Sequence, residues 1–398
     1  MRVIGTRALG LRTPIIRESD DLTAVVCQTV KEAIEHENVC INDGDIIGIT
    51  EAVLARSQGN YATLDQIATD VKAKFKDANG SIAGHIGIVF PILSRNRFAM
   101  LLKGIARGVE KVTVLLSYPD DEVGNQLITW EDVEEKHLNP YSDCLTEVEY
   151  RRLFGERKHT FTSIDYVEYY KSLGKNIEII LCADPKRILE HTDHVIAADI
   201  HSRARTKRVL SAAGAKKVIG IDEILTSPVN GSGYNELYGL LGSNKATEER
   251  VKLFPRDCET FVKKMQQALR ELSGKTVEVL VYGDGGFKDP VGGIWELADP
   301  VVSPAFTSGL TGTPNELKLK FLADNNYADL SKDEARKAIE KAIQAKAGID
   351  QMGKMESGGT TPRRLTDLLG SLCDLVSGSG DKGTPVVLIQ GYFDNYAN

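Results

Sequence analysis

Asp284 stands where an apolar run stops. Residues 277–282 read as a buried strand, and Gly283-Asp284-Gly285-Gly286-Phe287-Lys288-Asp289-Pro290 follows. In α/β folds, sites form at the carboxyl ends of such strands. Flanking glycines let a phosphate or a metal approach the backbone. A hard cation such as Mg²⁺ needs only one or two carboxylates beside substrate phosphates. Asp284 and Asp289 are therefore candidate metal ligands. A plain strand-ending turn uses the same residue types.

Three other constellations could do chemistry. The stretch 357–393 holds Arg363, Asp367 and Lys382 around a helix and a glycine-rich loop. Thr361 suits a helix cap and Pro362 its first turn. Gly378 suits a left-handed helix end. Arginines at a helix start near a lysine-bearing loop outline an anion site; a capped core helix with a turn has the same residues. Arg95-Asn96-Arg97 follows another apolar run, and two arginines there can clamp a carboxylate or phosphate. His201, Arg203, Arg205, Lys207 and Arg208 open a helix just after Asp199. Cations at a helix start oppose the macrodipole unless an anion is close. A solvated loop and a solvated helix face account for these last two groups equally well.

The elements that must position these residues follow from periodicity. Strands are expected over 2–6, 46–50 and 86–90, with helices over 21–35 and 64–75. The middle of the chain alternates: helix 99–108, strand 112–117, strands 177–181 and 195–198, helix 202–212 and strand 217–221. That rhythm predicts a parallel or mixed sheet, hence an α/β class with mixed sheets. Residues 228–234 read as a functional loop or a turn. Helices at 258–272 and 331–347, a connector at 352–360, an amphipathic helix from Leu365 to Val376 and a strand at 385–389 complete the chain.

The bulk properties narrow the classes. The chain has 398 residues, 42% hydrophobic and 26% charged, an ordinary globular balance. A net charge of −7 without a basic tract argues against nucleic acid. A phosphorylated substrate then needs local cations or metal ions. No apolar run is long enough to span a membrane, and the N-terminus lacks a signal-peptide core, so a cytoplasmic location is expected. The six cysteines are scattered, with no CxxC pair. No P-loop, Rossmann fingerprint, GxSxG elbow, HExxH or EF-hand is present.

Several tracts together resemble the coenzyme F-420 γ-glutamyl ligases. They are Leu9-Gly10-Leu11 with Ile15-Ile16 and Asp20-Asp21; Asp43-Gly44-Asp45 leading to Thr50-Glu51-Ala52; residues 277–286; and residues 367–391. The likeness implies a ligase-like core in two parts, 1–98 and 257–398, with an inserted α/β segment at 99–256. It implies a ligase in which GTP or ATP phosphorylates the carboxylate of F420-0 or a related metabolite. The amine of L-glutamate then attacks the acyl phosphate. It further implies Mg²⁺ or Mn²⁺ held by Asp284, Asp367 and Asp289, a catalytic centre with Asp284, Asp367 and Arg95, and a homodimer. Leu9, Gly10, Leu11, Thr50, Arg56, Asn96, Arg363 and Lys382 would meet the nucleotide. The chain departs from the family pattern at Leu93 and Leu368, where the family carries carboxylates. Asp199 and Asp222 of the insert are candidates to replace them. The same chemistry on folate, a phosphotransferase or hydrolase on the same scaffold, and a nucleotide-binding regulator are the rival readings.

Overall fold

The computed structural model describes residues 3–286, 299–346, 348–351, 353–357, 363–378 and 380–397. Lys288, Asp289, Thr361 and Pro362 lie outside the described residues, as does part of the connector 352–360. The strands are β1 (Arg7–Leu11), β2 (Ile46–Thr50), β3 (Tyr61–Thr63), β4 (His85–Val89), β5 (Lys111–Leu116), β6 (Leu145–Thr146) and β7 (Ile177–Leu181). Then come β8 (His194–Ala197), β9 (Lys217–Gly220), β10 (Asn244–Lys245), β11 (Arg250–Lys252), β12 (Glu278–Tyr282), β13 (Ala305–Phe306) and β14 (Val386–Gln390). They build a five-stranded sheet β1-β14-β2-β12-β13, a six-stranded sheet β6-β7-β5-β4-β8-β9 and a small sheet β10-β11-β3. The class is mixed α/β, as the periodicity predicts.

The five-stranded sheet is covered on both faces, which is why its central strands are apolar throughout. Side chains alternate along a strand, so each strand divides its residues between two layers. Ile47, Ile49, Val279, Val281, Val386 and Leu388 pack against the helices Leu22–His36 and Cys258–Ser273. Ile46, Leu280, Tyr282, Val387 and Ile389 pack against Leu369 and Cys373 of the helix Leu365–Val376. Gly48 lets that helix come close: a Cβ there would lie 2.3 Å from Cys373 Sγ.

The six-stranded sheet carries the alternating middle of the chain. β4, β5, β7, β8 and β9 run parallel, and only β6 at the edge is antiparallel. The chain enters at β4, moves outward through β5 to β7, then crosses to β8 and β9. This doubly wound path leaves its switch point between β4 and β8. β4 itself lies within residues 1–98, so the six-stranded sheet draws on both sides of position 98. Residues 228–234 form a turn anchored on buried Asn60. Asn60 Oδ1 accepts from Tyr234 N at 3.0 Å, and Gly233 N donates to Tyr61 O at 2.7 Å.

Two local expectations fail. The first strand is Arg7–Leu11, not 2–6, because the partner β14 sets it, with Arg7 opposite Gln390 and Leu11 opposite Val386. Val3 and Ile4 remain exposed, so the apolar letters there have nothing to pack on. The C-terminal helix does not end on a left-handed Gly378. Ser377 turns extended (φ −66°, ψ 157°), and Gly378 joins a bridge to Thr384; Gly383 takes the positive φ of +64°.

Gly48→Ala is expected to lower stability by about 1–3 kcal/mol through overpacking. Adding Cys373→Ala should recover part of that loss in a double-mutant cycle read by urea unfolding. Additive effects would show that the helix does not rest on this strand.

Candidate active site

β2 and β12 are parallel neighbours in register, Thr50 opposite Tyr282. Their carboxyl ends therefore open side by side, and the residues just beyond, Glu51 and Asp284, share one cleft. The cleft has a volume of about 890 Å³. Gly283, Asp284 and Asp299 line it beside Thr50 and Arg56. Asp374 of the C-terminal helix and Gly378 and Gly383 of the following loop form another wall. Lys245, Arg250 and Lys252 come from β10 and β11.

Arg97 organises the acidic side. It stands just before the helix Phe98–Ala106, where its backbone N–H donates to Ser94 Oγ at 3.0 Å. Its guanidinium donates from Nη2 to Asp284 Oδ2 at 2.6 Å and from Nη1 to Asp299 Oδ1 at 2.7 Å. Asp299 is 1% exposed at its side chain and Asp284 33%. Asp299 Oδ2 also accepts from the Asp284 backbone N–H at 2.8 Å. Gly283 is required by this close approach, since a Cβ there would lie 2.2 Å from Asp299 Oδ2. On the helix side, Asp374 Oδ2 accepts from Gly285 N and Ser371 Oγ from Gly286 N, each at 3.1 Å. The glycine turn after β12 is thus clamped between Arg97 and the C-terminal helix.

A second buried pair flanks the first. Lys252 Nζ donates to both Glu51 carboxylate oxygens at 2.7 Å, with both side chains nearly enclosed. Burial raises the Glu51 carboxyl above its ordinary range, against the pull of Lys252. Burial also lifts Asp284 to about 7; Asp299, Asp374 and Glu51 add to the rise, and Arg97 opposes it. Asp374 is raised as well, first by burial. For Arg97, burial disfavours the charge, yet Asp299 and then Asp284 outweigh it and hold the guanidinium protonated.

The residues expected from sequence divide between places. Asp284, Thr50 and Arg56 line this cleft. Leu9, Gly10, Leu11 and Lys382 line a different cavity of about 1110 Å³, bounded by β1 and by Ala33 and His36 of the helix Leu22–His36. Arg95, Asn96 and Arg363 are exposed and stand outside the cleft lining. Asp367 is half-buried in the first turn of its helix, also outside the lining, while Asp374 reaches the cleft. Seven residues at a rise of about 1.5 Å put Asp374 roughly 10 Å further along the same helix stripe. Asp289 lies outside the described residues. Residues 99–256 supply cations to the cleft lining, not carboxylates. Asp199 accepts from Thr206 Oγ1 at 2.8 Å, and Asp222 pairs with Arg203 at 2.7 Å, both away from the cleft. The anion at the basic helix start is the chain's own Glu122, which accepts from the backbone N–H groups of Ile200, His201 and Ser202.

Sequence reasoning named Arg97 with Arg95 as a carboxylate clamp, and the structure gives that role to Arg97. It passed over Glu51, Lys252, Asp299 and Asp374 as site residues. Asp374 had a signal, the stripe it shares with Asp367. Lys252 and Asp299 had none, because distant segments bring them in.

Arg97→Ala is expected to cost about 3–5 kcal/mol, because it removes the partner of the enclosed Asp299. Arg95→Ala should unfold near the wild-type midpoint in the same denaturant titration. Equal effects of the two would contradict the fork described above.

No curated protein matches the chain. The model of one family, F420-0:Gamma-glutamyl ligase, matches residues 10–391. That span takes in both carboxyl-end turns of the central sheet, the Arg97 fork and the C-terminal helix. The chain therefore belongs to the F420-0:gamma-glutamyl ligase family and is a ligase.

Proposed function

We propose that the cleft binds a nucleoside triphosphate, GTP or ATP, and uses it to join L-glutamate to F420-0 or a closely related carboxylate through a γ-glutamyl amide. The terminal phosphoryl group passes to the acceptor carboxylate. The glutamate amine attacks the acyl carbon, phosphate leaves, and the amine gives up a proton. Phosphoryl transfer of this kind rests on positioning and on neutralising charge.

The observation that carries this reading is the charge of the cleft. Four carboxylates, Asp284, Asp299, Asp374 and Glu51, gather around two enclosed cations, Arg97 and Lys252, and Arg56, Lys245 and Arg250 line the cleft beyond them. Burial first, and then Asp299, raises the Asp284 and Asp374 carboxyls. Hard oxygen donors beside cations fit Mg²⁺ or Mn²⁺ bound by one or two carboxylates, with substrate phosphates as further ligands. They do not make a cage of protein ligands alone: among the described residues no three His, Cys, Asp or Glu side chains group around one point. Asp284 and Asp374 are the residues that would hold the ion. The ion would neutralise phosphate charge and polarise the transferred group.

The chain's own residues do the remaining work. Arg97 keeps Asp284 oriented and pairs enclosed Asp299. Arg56, Lys245 and Arg250 supply positive charge along the phosphate path, and Arg250 is held 4.6 Å over the Tyr61 ring. Lys252 locks Glu51 beside the backbone of Thr50. The flanking loop with Gly378 and Gly383 admits the phosphates close to the backbone. A homodimer and a cytoplasmic setting complete the proposal; among the described residues no helix is long and apolar enough to cross a membrane.

Two measurements test it. GTP or ATP with Mg²⁺ or Mn²⁺ should raise Tm more than nucleotide or metal alone, since a ligand of the native state stabilises by mass action. Asp284→Asn and Asp374→Asn should each slow nucleotide-dependent glutamate incorporation by about 10²-fold or more, while Asp367→Asn stays near wild type. Phosphate release without glutamate incorporation points to the hydrolase reading. Nucleotide binding that ignores the metal points to the regulator.

A further inference from the structure

Cys144 and Cys182 meet at the edge of the six-stranded sheet, far from the chemistry described so far. β6 and β7 run antiparallel, with Leu145 opposite Leu181 and Thr146 opposite Ile180. One step along that register sets Cys144 opposite Cys182. Cys144 packs against the buried cluster that holds Cys182. Residues directly opposite in such a pair have Cα atoms about 4.5–5.5 Å apart. Disulfides span about 4.4–6.8 Å between Cα atoms, so the backbone needs no rearrangement to accept one.

The two thiols are unequal. Cys144 is partly exposed, and its pKa falls to about 7, through the bond from Cys182 and then through the Arg187 guanidinium; burial and Glu190 oppose the fall. Cys182 is buried and its thiol is pushed up, first by its bond to Cys144 and then by burial. Its S–H also reaches the Pro140 carbonyl at 3.6 Å. The thiolate is the reactive form, so Cys144 is the attacking member. A cleft of about 840 Å³ has Ala183, the next residue after Cys182, in its wall, together with Arg205 and with Lys186, which pairs with Asp184 of the same wall at 3.4 Å. Arg205 suits an anionic reagent.

We propose that Cys144 and Cys182 are a redox-active dithiol that closes to a disulfide on meeting an anionic low-molecular-weight disulfide. The Cys144 thiolate attacks one sulfur of the reagent, forming a mixed disulfide and releasing one thiolate, which takes up a proton. Cys182 then loses its proton and attacks Cys144 Sγ. The intramolecular S–S bond forms, and the second half of the reagent leaves as a thiol. Two protein thiols are oxidised and one reagent disulfide is reduced to two thiols. The exchange does not depend on the ligase reading of the central cleft.

The test uses the full-length reduced protein and oxidised glutathione. After incubation the remaining thiols are alkylated and the digest is mapped by mass spectrometry. The alkylatable thiols should fall from six to four per chain, with a Cys144–Cys182 linked peptide that dithiothreitol removes. Cys182→Ser should stall at a glutathione adduct on Cys144, and Cys144→Ser should give no linkage. Wild-type protein that keeps all six thiols overturns the proposal. So does one that forms only single-cysteine adducts, or links only through exposed Cys40.

Discussion

One guanidinium holds the cleft together. Arg97 begins a helix of the six-stranded unit and forks onto two carboxylates that belong to the five-stranded one. The contact therefore does two jobs: it fixes how the units meet, and it sets the charge of the site between them. Enclosing three charged groups is costly unless each is bonded. Here each is: Asp299 accepts from Arg97 and from the Asp284 backbone, and Asp284 accepts from Arg97. Lys252 and Glu51 repeat the arrangement from the opposite side. The site is an interface of opposite charges, with Arg56, Lys245 and Arg250 lining the cleft beyond the two buried pairs.

The strand ends explain why the carboxylates gather where they do. Parallel pairing of β2 and β12 brings two strand ends together, and each end is followed by an acid, Glu51 and Asp284. The C-terminal helix, pressed close over Gly48, delivers a third, Asp374. Burial lifts the Glu51, Asp284 and Asp374 carboxyls alike. A carboxyl near 7 gains from any cation that arrives. The metal-bound triphosphate proposed above would bring that cation together with anions for Arg56, Lys245 and Arg250.

The fold was largely legible in the sequence, because periodicity reports local burial. The runs at 46–50, 112–117 and 177–181 are strands, and the amphipathic run at 365–376 is a helix, as their patterns predict. The strand at 2–6 was misplaced because a partner 380 residues away sets its register, with Arg7 opposite Gln390. The site was legible only where chemistry and local structure coincide, as at Asp284 and Thr50. Arg97 was named with Arg95 as a clamp, and Asp374 lay on the same helix stripe as the named Asp367, where position along the helix decided between them. Asp299 and Lys252 enter through tertiary pairing alone, which no spacing encodes.

The proposed nucleotide has two candidate cavities, since the residues that resemble the family's nucleotide contacts divide between them. Diffraction from crystals grown with Mn²⁺ and a non-hydrolysable triphosphate separates the two directly. The account predicts an anomalous peak at Asp284 and Asp374, with phosphates between Arg56 and Lys245 and the Arg97–Asp299 bond intact. Manganese and phosphates seated instead in the cavity of Leu9, Gly10, Leu11 and Lys382 would contradict it.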